Sequence, residues 1–120
     1  MERRDLQART KAFALRIIRL YVALPRTTEA QVIGKQMLRS GTSVGAHVRE
    51  GKRSRSNAEL ISKIEGALQE LEETTYWMEL LADAEIVKAE LLSSLMQEAS
   101  ELTAILVTSA KTTKGIRNDA

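Results

Sequence analysis

Apolar side chains recur at every third or fourth residue along four stretches of this 120-residue chain. That spacing aligns them on one face of an α-helix, whereas a half-buried strand has apolar residues at every second position. Aromatic residues, which favour strands, supply only 3% of the sequence, so the core must consist of aliphatic side chains and Met. The pattern predicts an all-α protein. We expect an antiparallel up-down-up-down four-helix bundle over residues 1–110, followed by a polar C-terminal tail at 111–120.

Short breaks separate the four predicted helices. Pro25 ends the first, at residues 4–24, because the residue before a proline avoids the helical region. The runs Thr28-Glu29-Ala30-Gln31 and Ser56-Asn57-Ala58-Glu59 have the spacing of capping boxes, so the second and third helices begin there. A turn near 83–87 precedes the fourth helix, which frays into the polar tail.

The second predicted helix contains a stretch of small residues. No side chain between residues 40 and 46 is larger than Val, and the stretch includes Gly41 and Gly45. Two glycines lower the intrinsic stability of a helix by about 2 kcal/mol relative to alanine. Close contact with a neighbouring helix would offset that loss, and a local bend or break is the alternative.

The first predicted helix carries two apolar rows. The core-facing row contains Leu6, Phe13, Ile17, Leu20 and Leu24. The second row, Leu15, Ile18 and Val22, exceeds what one packing partner requires. We expect it to form an oligomer interface together with part of the small-residue face of the second helix. The alternative is that the first helix is buried between two neighbours of its own bundle.

Charge is distributed unevenly along the chain. Residues 1–63 contain 14 Lys and Arg against 5 Asp and Glu, and residues 64–120 contain 4 against 11. Basic and acidic helices that lie side by side would neutralise each other. The other interpretation is a basic ridge that binds phosphates. Its predicted nucleic-acid-binding residues surround the second turn and are Arg49, Lys52, Arg53, Arg55 and Lys63. Because no aromatic side chain accompanies them, we expect weak, salt-sensitive binding.

Charged residues at helical spacing also predict a half-buried polar network. Its members are Arg39, His47 and Glu50 on the second helix and Glu70 and Glu73 on the third, with Tyr76 and Trp77 nearby. Charges removed from water need partners. We therefore expect Arg39 or Arg49 to donate hydrogen bonds to Glu70 or Glu73.

Several kinds of chemistry are poorly supported by the sequence. The chain has no Cys, which excludes disulfides, thiol nucleophiles and zinc fingers. His47 is the sole histidine, whereas a di-iron bundle site uses a histidine from each of two helices. No nucleophile elbow or catalytic triad accompanies it, so we expect no enzyme activity, metal or cofactor. With no apolar run of eighteen residues and no secretion leader evident, we expect a cytoplasmic protein without membrane contact.

Two sequence blocks resemble a known family. Residues 39–50 are similar to its R-x-x-x-S-[IV]-x-x-N-x-x-E motif, and residues 70–81 to the E-x-x-E-T-x-Y-W-x-x-L-L motif of one branch. The resemblance covers about residues 10–107 and is to the four-helix-bundle proteins related to the 23S rRNA intervening-sequence protein. The chain has His47 where the family usually has Asn, and Gly51 where this branch often has Ala.

The resemblance implies a small bacterial cytoplasmic bundle that assembles into a ring, typically a homopentamer. Some members of the family are encoded inside insertions in ribosomal RNA genes, and related bundles assist a reverse transcriptase and bind nucleic acid. We therefore expect a homo-oligomeric interaction or scaffold protein whose partner is RNA, DNA or a nucleoprotein, with no small-molecule substrate. A monomeric protein–protein adaptor with no nucleic-acid role is the alternative.

Overall fold

A computed structural model describes the backbone of residues 3–115 and the side chains of residues 6–115. This part of the chain forms four helices and no strand: α1 (Arg3–Ala23), α2 (Thr28–Gly51), α3 (Asn57–Asp83) and α4 (Ala89–Thr113). Each helix packs against its neighbour in sequence, and α4 also returns to α1. The predicted all-α four-helix bundle is therefore confirmed, with helices antiparallel to their chain neighbours. Helix α4 continues through residues 111–113 of the predicted tail, and residues 116–120 lie outside the described residues.

One apolar core extends along the bundle and receives side chains from every helix. The fully buried large apolar residues are Phe13, Ile17, Met37, Val44, Leu71, Met78, Leu81, Leu102 and Leu106. Burial of an aliphatic or aromatic side chain of this size stabilises a fold by about 1.5–3 kcal/mol. The core-facing row of α1 packs as predicted, although Leu20 is only half-buried.

The capping residue of α3 is the one that the sequence predicts. Ser56 adopts an extended backbone conformation, and its Oγ accepts a hydrogen bond from the backbone N–H of Glu59 at 3.1 Å. An N-cap of this kind stabilises a helix by about 1 kcal/mol. The cap therefore fixes where the α2–α3 turn ends.

The cap of α2 lies one residue before its predicted position. Thr27 is the extended residue whose hydroxyl accepts from the N–H of Ala30, and Thr28 already belongs to the helix. The Gln31 side chain does not complete a capping box, because its amide oxygen accepts from the Tyr21 hydroxyl at 2.9 Å. The glutamine therefore connects α2 to the end of α1.

Close packing of α1 against α2 explains the glycines of the small-residue stretch. A Cβ atom at Gly41 would lie 2.9 Å from two γ carbons of Ile17, well inside van der Waals contact. A Cβ at Gly45 would lie 3.4 Å from Thr10 Oγ1, which is an ordinary contact. Helix α2 continues without a break through both positions. Close contact, rather than a break, is therefore the correct interpretation of Gly41.

Candidate nucleic-acid interface

Four basic side chains surround the connection between α2 and α3. Arg49, Lys52, Arg53 and Arg55, which we call the basic turn, are all exposed. Among the residues that the structure describes, none of the four side chains forms an ion pair or a hydrogen bond with the rest of the chain. Backbone hydrogen bonds from Lys52 to Val48 and from Arg53 to Glu50 hold the turn. The basic turn thus presents four positive charges to solvent on a fixed backbone.

Lys63, the fifth predicted nucleic-acid-binding residue, has a different environment. It is half-buried, and its Nζ donates to Glu50 Oε1 at 2.9 Å. The hydrogen bond from Lys63 lowers the pKa of the Glu50 carboxyl, and the positive charge acts in the same direction. The structure therefore gives Glu50 an ion pair with Lys63, while the charge of His47 also contributes to the lowered pKa of the Glu50 carboxyl. Glu50 and Lys63 face each other across the end of the α2–α3 hairpin.

Some basic residues on the helix flanks are paired with acidic neighbours. Arg9 forms a two-pronged contact from α1 to α4, donating from Nε and an η nitrogen to the two carboxylate oxygens of Glu98 at 3.0 and 2.6 Å. Hydrogen bonds to Glu98 raise the pKa of the Arg9 guanidinium above its ordinary value. Lys114 similarly reaches Glu65 at 3.0 Å. The side-by-side interpretation of the charge asymmetry therefore describes these ion pairs, whereas the basic turn has none in the described chain.

The other members of the predicted polar network lie together between α2 and α3. Arg39 donates to Glu73 Oε1 at 2.7 Å and to Glu70 Oε1 at 3.4 Å. His47 Nε2 is 3.8 Å from Glu70 Oε2, which is too long for a hydrogen bond. Arg39 is half exposed, with 52% of its side-chain surface accessible. Arg39, His47, Glu70 and Glu73 thus come together at the surface, while Arg49 remains separate.

The His47 ring packs against Gly66 of α3, where the glycine leaves room for it. A Cβ at Gly66 would lie 2.9 Å from the Cε1 atom of that ring. His47 Nδ1 is buried and has no hydrogen-bond partner among the described residues. Tyr76 and Trp77 stack edge to face at 5.0 Å and form no side-chain hydrogen bond with the polar network. The two aromatic residues therefore pack against each other beside the network instead of joining it.

A buried hydroxyl pair next to this network was missed by sequence reasoning. The side-chain oxygens of Ser40 and Thr74 are 2.8 Å apart inside the core, and Thr74 also donates to the Glu70 carbonyl at 2.7 Å. Both residues occupy core-facing positions of amphipathic helices. A hydroxyl residue at such a position on each of two adjacent helices is the signal that could have identified the pair.

The second apolar row of α1 is exposed in the single chain. Leu15 and Ile18 are 42% and 40% exposed, and Val22 is 74% exposed. The alternative that neighbours in the same bundle bury this row is therefore wrong. Part of the small-residue face of α2 cannot join an oligomer interface, because Ser40 and Gly41 are buried within the chain itself.

Within the described residues, no group of three or more His, Asp or Glu is placed to hold a metal ion. None of the four described helices combines the length and apolarity needed to cross a membrane.

Comparison with known proteins places this architecture in a family. The sequence profile described as 23S rRNA-intervening sequence protein matches residues 3–108. A crystal structure of a protein with unknown function from the S23 ribosomal protein family of Bacteroides thetaiotaomicron VPI-5482 is 37% identical, with a TM-score of 0.87. The match covers 92% of this chain and 99% of that one. No curated protein matches the chain. Because the profile spans nearly the whole bundle, the chain belongs to the 23S rRNA-intervening sequence protein family.

Proposed function

We propose that this protein is a non-catalytic, self-associating scaffold whose basic turn binds the phosphates of nucleic acid. The observation that carries the proposal is the density of the basic turn, which places four exposed cations without ion pairs within seven residues. No other seven-residue stretch of the described chain contains four Lys or Arg side chains, and cations such as Arg9 and Lys63 are already held by carboxylates. A cation already held by a carboxylate must lose that contact before it can bind phosphate. The basic turn requires no such exchange, and each contact releases counterions from the nucleic acid.

Self-association increases the effect of a small basic surface. The exposed row of Leu15, Ile18 and Val22 supports an interface between copies, because such a row is stabilised by removal from water. The family resemblance supports a closed ring of five. A ring would present several basic turns to one nucleic acid, and linked weak contacts raise the overall affinity without any new contact.

Fluorescence anisotropy with a labelled mixed-sequence RNA tests the basic turn. We expect binding at about 50 mM salt that falls steeply towards 200 mM, since the affinity is governed by phosphate contacts. Arg53→Glu with Arg55→Glu should abolish most of it. Lys35→Glu with Lys88→Glu is a matched control, because these lysines are also exposed, lie away from the turn and give the same change in net charge.

The salt dependence separates specific contacts from a general charge effect. Removal of two phosphate contacts lowers the slope of log affinity against log salt by about 1.4 for a single strand. The control pair should leave that slope unchanged. Absence of binding at 50 mM salt, or an equal loss of affinity in both double variants, contradicts the proposal.

The solution mass distinguishes the scaffold from the alternative, a monomeric protein–protein adaptor. Light scattering after a high-salt wash should give a multiple of the 13.3 kDa chain, with a mass near five subunits for the ring. Ile18→Glu should reduce the mass to that of a monomer, whereas Val32→Glu, at an exposed apolar residue on α2, should not. A monomeric wild-type protein favours the adaptor. A fall in the 260 to 280 nm absorbance ratio during the wash indicates co-purified nucleic acid.

A further inference from the structure

A cleft of about 520 Å³ opens at the end of the bundle that carries the basic turn. We call it the end cleft. Its aliphatic lining includes Leu6, Ile64 and Leu106, one from each of α1, α3 and α4, and all three are buried. Gly51 and Lys52 also line it, so the basic turn and the end cleft share a residue. A ligand at one of these features is therefore adjacent to the other.

Helix α4 contributes a polar wall to the end cleft. Thr108, Ser109 and Thr112 line it, and in the described part of the chain their hydroxyls form no hydrogen bonds. Each hydroxyl can donate one hydrogen bond and accept two. The cleft thus combines aliphatic surfaces with unengaged hydrogen-bonding groups, a composition suited to a flat ligand with an apolar face and a polar edge.

We infer that the end cleft receives an unpaired nucleobase from the nucleic acid whose phosphates contact the basic turn. This inference rests on the proposed function. A base packs its face against apolar side chains and exposes donors and acceptors along its edge, as in enzymes that bind a base outside the helical stack. The exposed Lys52 at the cleft complements the charge of a phosphate attached to that base.

The site predicts a preference between forms of nucleic acid. Bases in a duplex are paired and stacked, so their insertion requires disruption of the duplex, whereas a single strand offers them directly. The basic turn contains no aromatic side chain on which a base could stack. The end cleft supplies the missing contact with bases and makes the surface selective for single strands.

An oligonucleotide without bases separates the two contacts. We would compare a labelled ten-nucleotide RNA with a chain of ten abasic phosphodiester units by anisotropy at about 50 mM salt. The wild-type protein should bind the RNA at least about fivefold more tightly, equivalent to about 1 kcal/mol. Thr108→Leu with Thr112→Leu fills the cleft and removes two hydroxyls, so the ratio should fall to about one while the affinity for the abasic chain is unchanged. Ser100→Leu with Thr103→Leu is the matched control, because both residues are exposed on α4 and neither lines the cleft.

The outcomes distinguish this inference from the proposed function. If Arg53→Glu with Arg55→Glu abolishes binding of the abasic chain but the wild type binds RNA no better than that chain, the basic turn stands and the base site is overturned. If that charge-reversal variant leaves binding of the abasic chain intact, the proposed function itself fails. An unchanged ratio in the cleft-filling variant also overturns the base site. So does a change in its solution mass, which would assign the end cleft to contact between copies.

Discussion

Replacement of two glycines four residues apart on α2 should have opposite effects on stability. Alanine at Gly41 and alanine at Gly45 gain the same helix propensity, about 1 kcal/mol each. Only alanine at Gly41 creates a steric clash, because its Cβ would lie 2.9 Å from both γ carbons of Ile17. Those carbons are attached to the branched Cβ of a fully buried residue, so rotation about χ1 exchanges one γ carbon for another.

The magnitude follows from the balance of the two effects. Insertion of a methyl group into a well-packed core costs about 1–3 kcal/mol, which exceeds the gain in propensity at Gly41. We therefore expect Gly41→Ala to lower the free energy of unfolding by about 1 kcal/mol. At Gly45 the nearest atoms, all of Thr10, are 3.4 to 3.5 Å from the new Cβ. Gly45→Ala should accordingly raise the free energy of unfolding by about 0.5–1 kcal/mol.

Urea unfolding followed by circular dichroism measures both values. Protein concentration must be the same for all samples, since self-association makes apparent stability depend on it. A difference of about 2 kcal/mol between the variants corresponds to about 8 °C in the midpoint of thermal unfolding for a chain of this size. The packing argument is refuted if Gly41→Ala is as stable as the wild type or if Gly45→Ala loses as much stability as Gly41→Ala.

Three smaller perturbations test other contacts. Ser56→Ala removes the cap of α3 and should lower the unfolding free energy by about 1 kcal/mol in urea titrations, whereas Ser56→Gly should cost only a few tenths. Arg39→Met and Glu73→Gln should each lower the unfolding free energy by only about 0.2–1 kcal/mol, because the ion pair is partly exposed. A double-mutant cycle should show that the two effects are coupled, because the side chains contact each other. The lowered pKa of Glu50 beside Lys63 gives stability that is present above the unfolded pKa and is lost as pH falls through the folded pKa. The urea midpoint of Glu50→Gln should therefore change less than that of the wild type between about pH 6 and pH 3, and equal changes would show that the contact is absent in solution.

Helix existence and order follow from the sequence because periodicity is a local property. The sequence predicts a turn near residues 83–87, and α3 ends there, at Asp83. Periodicity does not fix the cap positions, since the backbone conformation after Pro25 decides between Thr27 and Thr28. The turn before α4 includes Glu85 at a φ of 60°, a left-handed conformation usually signalled by Gly or Asn. Neither residue is present there to reveal it.

Side-chain partners could be predicted only where helix spacing restricts the choice. Glu70 and Glu73 lie one turn apart on α3, so a basic residue on the adjacent helix can reach both, and Arg39 does. The ion pair of Glu50 with Lys63 could not be predicted, because it depends on how the ends of α2 and α3 approach each other. The end cleft escaped prediction for the same reason, since its lining comes from the ends of four helices.

The connectivity of the bundle also determines how the chain can fold. Among the described helices, α1 with α4 is the only contacting pair that is not consecutive in the chain, and it is the least extensive contact. Consecutive helices meet across connections of four or five residues, so each hairpin closes with little loss of chain entropy. Chains dominated by such local contacts fold within microseconds to milliseconds. Arg9 reaches Glu98 and Glu101, which are 89 and 92 residues further along the chain, so during synthesis three helices can already pack before the α1–α4 seam exists.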